Sequence, residues 1–346
     1  MSTMEELMKS VNKQAKSEIM SLGLNSYTYR RIPFTSPSMN YCSYGGIPVG
    51  KITEFYGAEH GGKTTTALDI IANYQNGIGA VEGRKALFVD SENSLDVEWA
   101  EKIGVDVSDM YVVKPESQSG EQLLQLILDA IKTNQIGLWV LDSIGALVPS
   151  SQLDEKKTLE DKTYCGISKP LTEFAGKVEM LMQRHQCTGL AINQLRDNIT
   201  STWGGTKTPG GRAWRHFCMV RMEFTRGSFI DENHKDLTRS AKTPSGNIVM
   251  MSMTKNKTCP PNRRIGQYTL NYNEGIDYLW DLVDVGIQMD IIQQSGAWFT
   301  IINPDTGEIL SDEKIQGQNN VSLYLQEHTE LLTQVEKMLD DKIALN

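Results

Sequence analysis

Chemistry is concentrated first in Gly57 to Thr64, GAEHGGKT, where glycines, one lysine and one hydroxyl stand at fixed spacing. Gly57, Gly61 and Gly62 allow a tight turn whose amide N–H groups converge on phosphate oxygens. Lys63 adds a charge that reaches the outer phosphates, and the Thr64 hydroxyl is a ligand for Mg²⁺. Such a loop needs a strand to deliver it and a helix to leave it, with the helix dipole facing the anion. Lys51 to Tyr56 read as a short buried strand, and Ala67, Ile70, Ile71 and Tyr74 recur at helical spacing after Thr65. The stretch reads as a nucleoside-triphosphate site.

Two carboxylates follow strand ends. Asp142 closes the apolar run Gly137–Asp142 (GLWVLD) and suits a Walker B acid that holds the Mg²⁺ bridging the outer phosphates. Glu92 follows the run Lys85–Asp90 (KALFVD). Its spacing fits either a group that orients or deprotonates the attacking water, or a carboxylate favoured by a helix N-terminus. Two polar segments come after later strands. Ser150–Gly166 mixes Glu155, Lys156, Lys157, Glu160, Asp161 and Lys162; Arg196–Arg212 carries Trp203, Arg196, Lys207, Arg212 and the glycines 204, 205, 210 and 211. Glycine, cations and one ring suit a loop that orders on a nucleic-acid backbone, although composition alone favours an ordinary ATPase lid.

The elements that must position these groups alternate. Strands at 85–90, 137–142 and 188–193 are separated by a helix at Val97–Ile103 ending at Gly104, by one that bears Leu123, Leu124, Ile127, Leu128 and Ile131 behind a cap of Ser119 and Gln122, and by one at 171–186. Near-continuous apolar strands between helices imply an α/β fold with a mostly parallel sheet covered on both faces. Its functional groups then gather at the strands' carboxyl ends. Beyond residue 217, Val220, Met222 and Phe224, and later Tyr268, Leu270 and Tyr272, alternate with polar residues, as antiparallel hairpins do. Ile276–Ile292 read as helical, and SGAWFTI with a charged helix near 321–342 forms a small closing lobe. Residues 21–50 read as irregular. Met4, Leu7, Met8, Val11, Ala15 and Ile19 line one face of a helix over 4–20, boxed by Thr3 and Glu6; that face covers either its own domain or a neighbouring subunit.

At 346 residues and 39% apolar content the chain can bury a large core. A net charge of −9 means that any nucleic-acid contact is local. The five scattered cysteines include no C-x-x-C pair, which makes a disulfide framework and a cysteine metal site poor readings and a reducing interior the expectation. No apolar run approaches the ~18 residues of a membrane span and the N-terminus is unlike a signal peptide, so no membrane and a cytoplasmic location are expected.

GGIPVGKITEFYGAEHGGKTTTAL, LFVDSENSLDVEWAEKIGVD, LDSIGALVP, INQLR, TPGGRAWRHF, KNK and EGIDYLWDLVDVGI followed by SGAWF occur in register over roughly 45 to 300. Together they resemble the bacterial RecA recombinase family. The resemblance implies three parts: an N-terminal helix and polymerisation segment (1–32), a RecA-type P-loop ATPase core with two DNA-binding loops (33–274), and a small C-terminal α/β domain (275–346). It implies a DNA-dependent ATPase with ATP and Mg²⁺ as cofactors. It implies a homo-oligomeric helical filament on single-stranded DNA that pairs with homologous duplex DNA for strand exchange.

Residue by residue, the resemblance gives the phosphate loop to Gly57, Glu59, His60, Gly61, Gly62, Lys63, Thr64 and Thr65. It gives the adenine contacts to Asp96, Trp99 and Tyr272, the metal to Thr64 and Asp142, and catalysis to Glu92 and Lys63. Gln194 becomes the γ-phosphate sensor, while Lys255 and Lys257 reach a neighbour's ATP. DNA contacts fall to Arg196, Trp203, Lys207, Gly210, Gly211 and Arg212. A hexameric helicase or loader and a non-hydrolysing scaffold are the alternatives on the same core.

Overall fold

The computed structural model describes residues 3–15, 29–153, 166–197 and 205–344. The chain divides after Arg30 into two compact units. In the first, α1 spans Met4–Ala15. The expected capping box is present: Glu6 N–H donates to Thr3 Oγ1 (3.3 Å) and Thr3 N–H to Glu6 Oε2 (2.9 Å). Ile19, expected on the same face, lies outside the described residues.

The second unit opens with order where the sequence reads as irregular. β1 (Arg31–Ile32) pairs with β2 (Ile47–Pro48), and α2 (Pro37–Ser43) lies between them. Ser36 caps α2 by accepting from Met39 N–H (3.0 Å), and Pro37 takes a first-turn position that needs no N–H. A helix of 7 residues is too short to betray itself by periodicity.

Then the alternation unfolds as β3 (Ile52–Gly57), α3 (Lys63–Gln75), β4 (Lys85–Asp90), α4 (Val97–Ile103), β5 (Met110–Val113), α5 (Gly120–Lys132) and β6 (Ile136–Asp142). It continues through α6 (Ser168–His185), β7 (Thr188–Gln194), β8 (Arg196–Asp197), β9 (Thr206–Lys207) and α7 (Gly211–Phe217). β10 (Val220–Ile230), β11 (Asp236–Leu237), β12 (Gly246–Asn256), β13 (Ile265–Asn271) and β14 (Gly275–Ile276) follow.

One sheet takes the order β14-β13-β12-β10-β3-β7-β6-β4-β5, with β11 on β10. From β10 to β5 the strands are parallel, while β12, β13 and β14 are antiparallel. The α/β fold with a mostly parallel sheet is therefore as expected. Phe55, Phe88, Val140 and Ile192 of the strands share one core with Ile70 of α3; Trp139 and Leu141 share another with Ile127 of α5 and Phe174 and Val178 of α6. Burial on both faces explains the near-continuous apolar strands.

A third core, including Leu282, Val285, Ile292, Phe299, Leu325 and Leu339, belongs to the closing lobe. It is built from α8 (Tyr278–Gln288), β15 (Ile292–Ser295), β16 (Trp298–Ile301), β17 (Ile315–Gln316), α9 (Gln318–Glu327) and α10 (Thr329–Ile343). Two expectations change here. The helix read as reaching Ile292 stops at Gln288, because Asp290 turns left-handed (φ 59) and Ile292 pairs with Ile301. The single charged helix is two, broken at His328, whose ring bonds back to the Tyr324 carbonyl (2.8 Å) and stacks on the Tyr324 ring.

Candidate nucleotide site and the loop beside it

Strand register brings the expected residues together. At the carboxyl ends of the strands Gly57 lies opposite Gln194, and Asp90 lies opposite Asp142. A Cβ on Gly57 would sit 2.1 Å from the Phe224 carbonyl oxygen, so the close approach of β10 demands glycine there. The loop curls through left-handed backbone at His60 (φ 58) and Gly62 (φ 88), and Gly62 opens α3. Gly61 is buried, whereas Glu59 and His60 are exposed on the outer turn.

Lys63 is buried, and its Nζ donates to the Ala58 carbonyl across the loop (2.6 Å). Burial lowers its pKa, opposed by the nearby Asp142, Glu92 and Glu59. Thr64 donates its hydroxyl to Asp142 Oδ2 (2.7 Å). Burial pushes the Asp142 carboxyl up to about 6; the Thr64 bond opposes this, and Glu92 and Asp90 add to it. A hydroxyl and a carboxyl hydrogen-bonded to each other beside a glycine-rich loop suit Mg²⁺, which takes few protein ligands.

Glu92 stands four positions before Asp96, the N-cap of α4, so it is not in that helix's first turn. Its Oε1 accepts from Ser143 Oγ (2.5 Å) and from Gln194 Nε2 (2.8 Å). Asp90, fully buried, accepts from Ser94 N–H (3.0 Å) and Leu95 N–H (2.9 Å) and so closes the turn that carries Glu92. Asp96 accepts from Trp99 N–H (3.1 Å), which makes it a helix cap as well as an expected base contact. The Trp99 indole N–H donates to Thr65 Oγ1 (3.2 Å), tying that ring to the phosphate loop.

Trp99 and Tyr272 line one cleft of about 420 Å³ together with His60, Gly62 and Thr65. Arg226 and Asn247 line it too, and Asn247 Oδ1 accepts from the Tyr272 hydroxyl (2.8 Å). Sequence reasoning missed both residues, because neither belongs to a motif and only the pairing of β12 with β10 and β13 brings them there. Ser143 was in plain view after the strand-end Asp142, but its contact with Glu92 depends on strand order.

The lysines of KNK lie elsewhere. Lys255 pairs with Arg221, which pairs with Glu54, so it stands three positions before Gly57, on the order of 10 Å along the strand. Its Nζ donates to the carbonyls of Arg215 (2.6 Å), His216 (3.0 Å) and Cys218 (2.5 Å) at the end of α7. Burial, with Lys257 beside it, lowers its pKa. Lys255 and Lys257 are thus away from their own chain's phosphate loop.

The segment after Gln194 begins and ends as a ribbon: β8 pairs with β9, and Arg196 lies opposite Lys207. Arg196 donates to the Gly145 carbonyl (2.5 Å), and Lys207 is exposed. Gly210 (φ 96) and Gly211 (φ 76) turn the chain into α7, where Arg212 is exposed. Trp203, and residues 154–165 of the first polar segment, lie outside the described residues. Among the described residues no helix is long and apolar enough to cross a membrane.

Comparison with known proteins identifies the family. A family model described as the RecA N-terminal domain matches residues 2–277, and one described as the RecA C-terminal domain matches 280–344. The chain is similar to Protein RecA of Clostridium tetani, with 32% identity over 99% of this chain and 91% of that protein. Protein RecA of Staphylococcus carnosus is 30% identical over 99% of this chain and 90% of its own length. Protein RecA of Staphylococcus aureus is 30% identical over 99% and 92% respectively. Two adjoining family matches and this end-to-end similarity establish that the chain belongs to the RecA recombinase family.

Proposed function

We propose that this chain is a single-stranded-DNA-dependent ATPase that forms a helical filament on DNA and catalyses homologous pairing and strand exchange in recombination and repair. The observation that carries this reading is the contact of Gln194 with Glu92 at the root of the basic β8–β9 ribbon. One residue thereby joins the groups suited to hydrolysis with the segment suited to DNA.

In this reading the amides of Gly57–Thr65 and the Lys63 ammonium hold the triphosphate, and Trp99 and Tyr272 flank the base. Thr64 and Asp142 would hold Mg²⁺, which would supply positive charge to offset that of the phosphates. Glu92 takes the proton of the attacking water at Oε2, while Ser143 and Gln194 orient it through Oε1. Lys255 and Lys257 serve the site of an adjacent subunit, which agrees with their distance from their own loop. Nucleotide binding and polymerisation then support each other, and hydrolysis releases the grip.

Arg196, Lys207 and Arg212, with Trp203 and the Gly210–Gly211 turn, bind single-stranded DNA through phosphates and stacking, without reading sequence. Base pairing with an incoming homologous duplex supplies the specificity. Residues 1–32 form the polymerisation segment, 33–274 the ATPase core and 275–346 the small C-terminal domain. The setting is cytoplasmic. The deciding experiment measures ATP hydrolysis with and without single-stranded DNA, images the assemblies, and follows strand exchange. DNA-stimulated turnover on open helical filaments is expected; DNA-indifferent turnover by a monomer would sink the reading.

A further inference from the structure

Resting on the reading that the segment after Gln194 is a DNA-binding loop, we propose that Glu54 is a positioning residue for that loop. It joins the far end of the loop to the Gln194 strand end and so sets how strongly bound DNA alters hydrolysis.

Glu54 sits in the middle of β3 with 0% of its surface exposed, between Ala191 of β7 and Arg221 of β10. A carboxyl group in a central strand adds nothing to the sheet's hydrogen bonding, and its burial is unfavourable unless every oxygen is partnered. Here both are. Oε1 accepts from Asn193 Nδ2 (2.8 Å) and from the Trp214 indole N–H (2.9 Å); Oε2 accepts from Arg221 Nε in an ion pair.

Each partner leads onward to the loop. Asn193 Nδ2 also donates to the Pro209 carbonyl (3.1 Å), and the Arg221 guanidinium to Thr208 Oγ1 (3.3 Å). Trp214 is the buried residue of α7, the helix into which the loop runs. In the other direction, Asn193 Oδ1 accepts the Gln194 N–H (3.0 Å), and Gln194 touches Glu92. The loop leaves the sheet at Gln194, its far end passes Thr208 and Pro209, and a single buried carboxyl group is linked to both places through Asn193 and Arg221. A fully partnered buried network shifts between discrete arrangements rather than bending gradually, so movement at Gln194 reaches Thr208 and Pro209.

The test compares the full-length wild type with Glu54→Gln and Thr208→Val. The readings are ATP hydrolysis with and without an oligo(dT) strand, ATP affinity, and melting temperature. Glu54→Gln keeps the shape and an acceptor for Asn193 and Trp214 but removes the charge facing Arg221. Its DNA-free rate and ATP affinity are expected to match the wild type. Its ratio of stimulated to unstimulated rate should fall by about fivefold or more, the scale of a lost coupling between sites. Thr208→Val, which cuts only the Arg221 link, should lower the ratio in the same direction.

A wild-type ratio in Glu54→Gln overturns the inference. So does a matching fall of both rates, the mark of a residue that merely stabilises the core. Should Glu54→Gln fail to fold, Thr208→Val decides: an unchanged ratio overturns the proposal and a lowered one supports it. A wild type that DNA does not stimulate is a different result, visible before any variant is made, and removes the loop reading along with the inference.

Discussion

The Gln194 side-chain amide donates to Glu92 Oε1 across 2.8 Å, although β7 and β4 are not neighbours in the sheet. β6 runs between them, and Ser143, just after its end, donates to the same oxygen at 2.5 Å. Three parallel strand ends thus converge on one carboxyl oxygen. Glu92→Gln keeps an acceptor for both donors but cannot take a proton. Hydrolysis should fall about 10²–10⁴-fold with ATP affinity unchanged, read by phosphate release and a fluorescent-nucleotide titration. A loss below tenfold would assign the proton to another group.

Gly57→Ala tests whether strand packing dictates the loop. The added methyl would meet the Phe224 carbonyl oxygen at 2.1 Å, backbone that the β3–β10 pairing holds in place. A loss of at least about 1–3 kcal/mol in urea unfolding is expected, together with weakened ATP binding. Gly176→Ala in α6 is the control. Its nearest neighbour would be Phe217 Cζ at 3.9 Å, so stability should hold or rise by up to about 1 kcal/mol.

Lys207→Ala addresses the loop. If Lys207 neutralises one phosphate, the slope of log affinity for single-stranded DNA against log salt should become shallower by about 0.7. Fluorescence anisotropy over a salt series measures it. An unchanged slope would remove Lys207 from the interface.

Subunit mixing addresses Lys255. Lys255→Ala and Glu92→Gln should each be nearly inactive alone. When they are mixed, some sites combine an intact Glu92 with an intact Lys255 from the adjacent copy, and part of the hydrolysis returns. No recovery at any ratio would place Lys255 outside a shared site.

Asp281 predicts a pH dependence. It is fully buried on α8 and accepts from Ser36 Oγ (2.5 Å) and Ser38 N–H (3.3 Å). Burial pushes its carboxyl from 3.8 up to about 8, and Asp284 and Asp277 add to the rise. A raised carboxyl binds its proton more tightly folded than unfolded, so its contribution to stability is lost as pH climbs through that window. Asp281→Asn cannot ionise, and its melting temperature relative to the wild type should rise steadily from about pH 6 to pH 8. A constant offset would show that Asp281 is ionised throughout.

What the amino-acid order determined by itself was the local chemistry. The phosphate loop, the Ser119–Gln122 box and the Gly104 helix stop depend on backbone conformations that few residue types adopt, within a few positions of each other. The apolar strands were legible because a sheet buried on both faces tolerates little else. Tertiary structure alone decided the rest. Which strands stand side by side set the meeting of Glu92 with Gln194, of Tyr272 with Asn247, and of Glu54 with Asn193, Trp214 and Arg221. Those partners are 25 to 167 positions apart, and no local spacing encodes contacts that exist only once the sheet has been ordered.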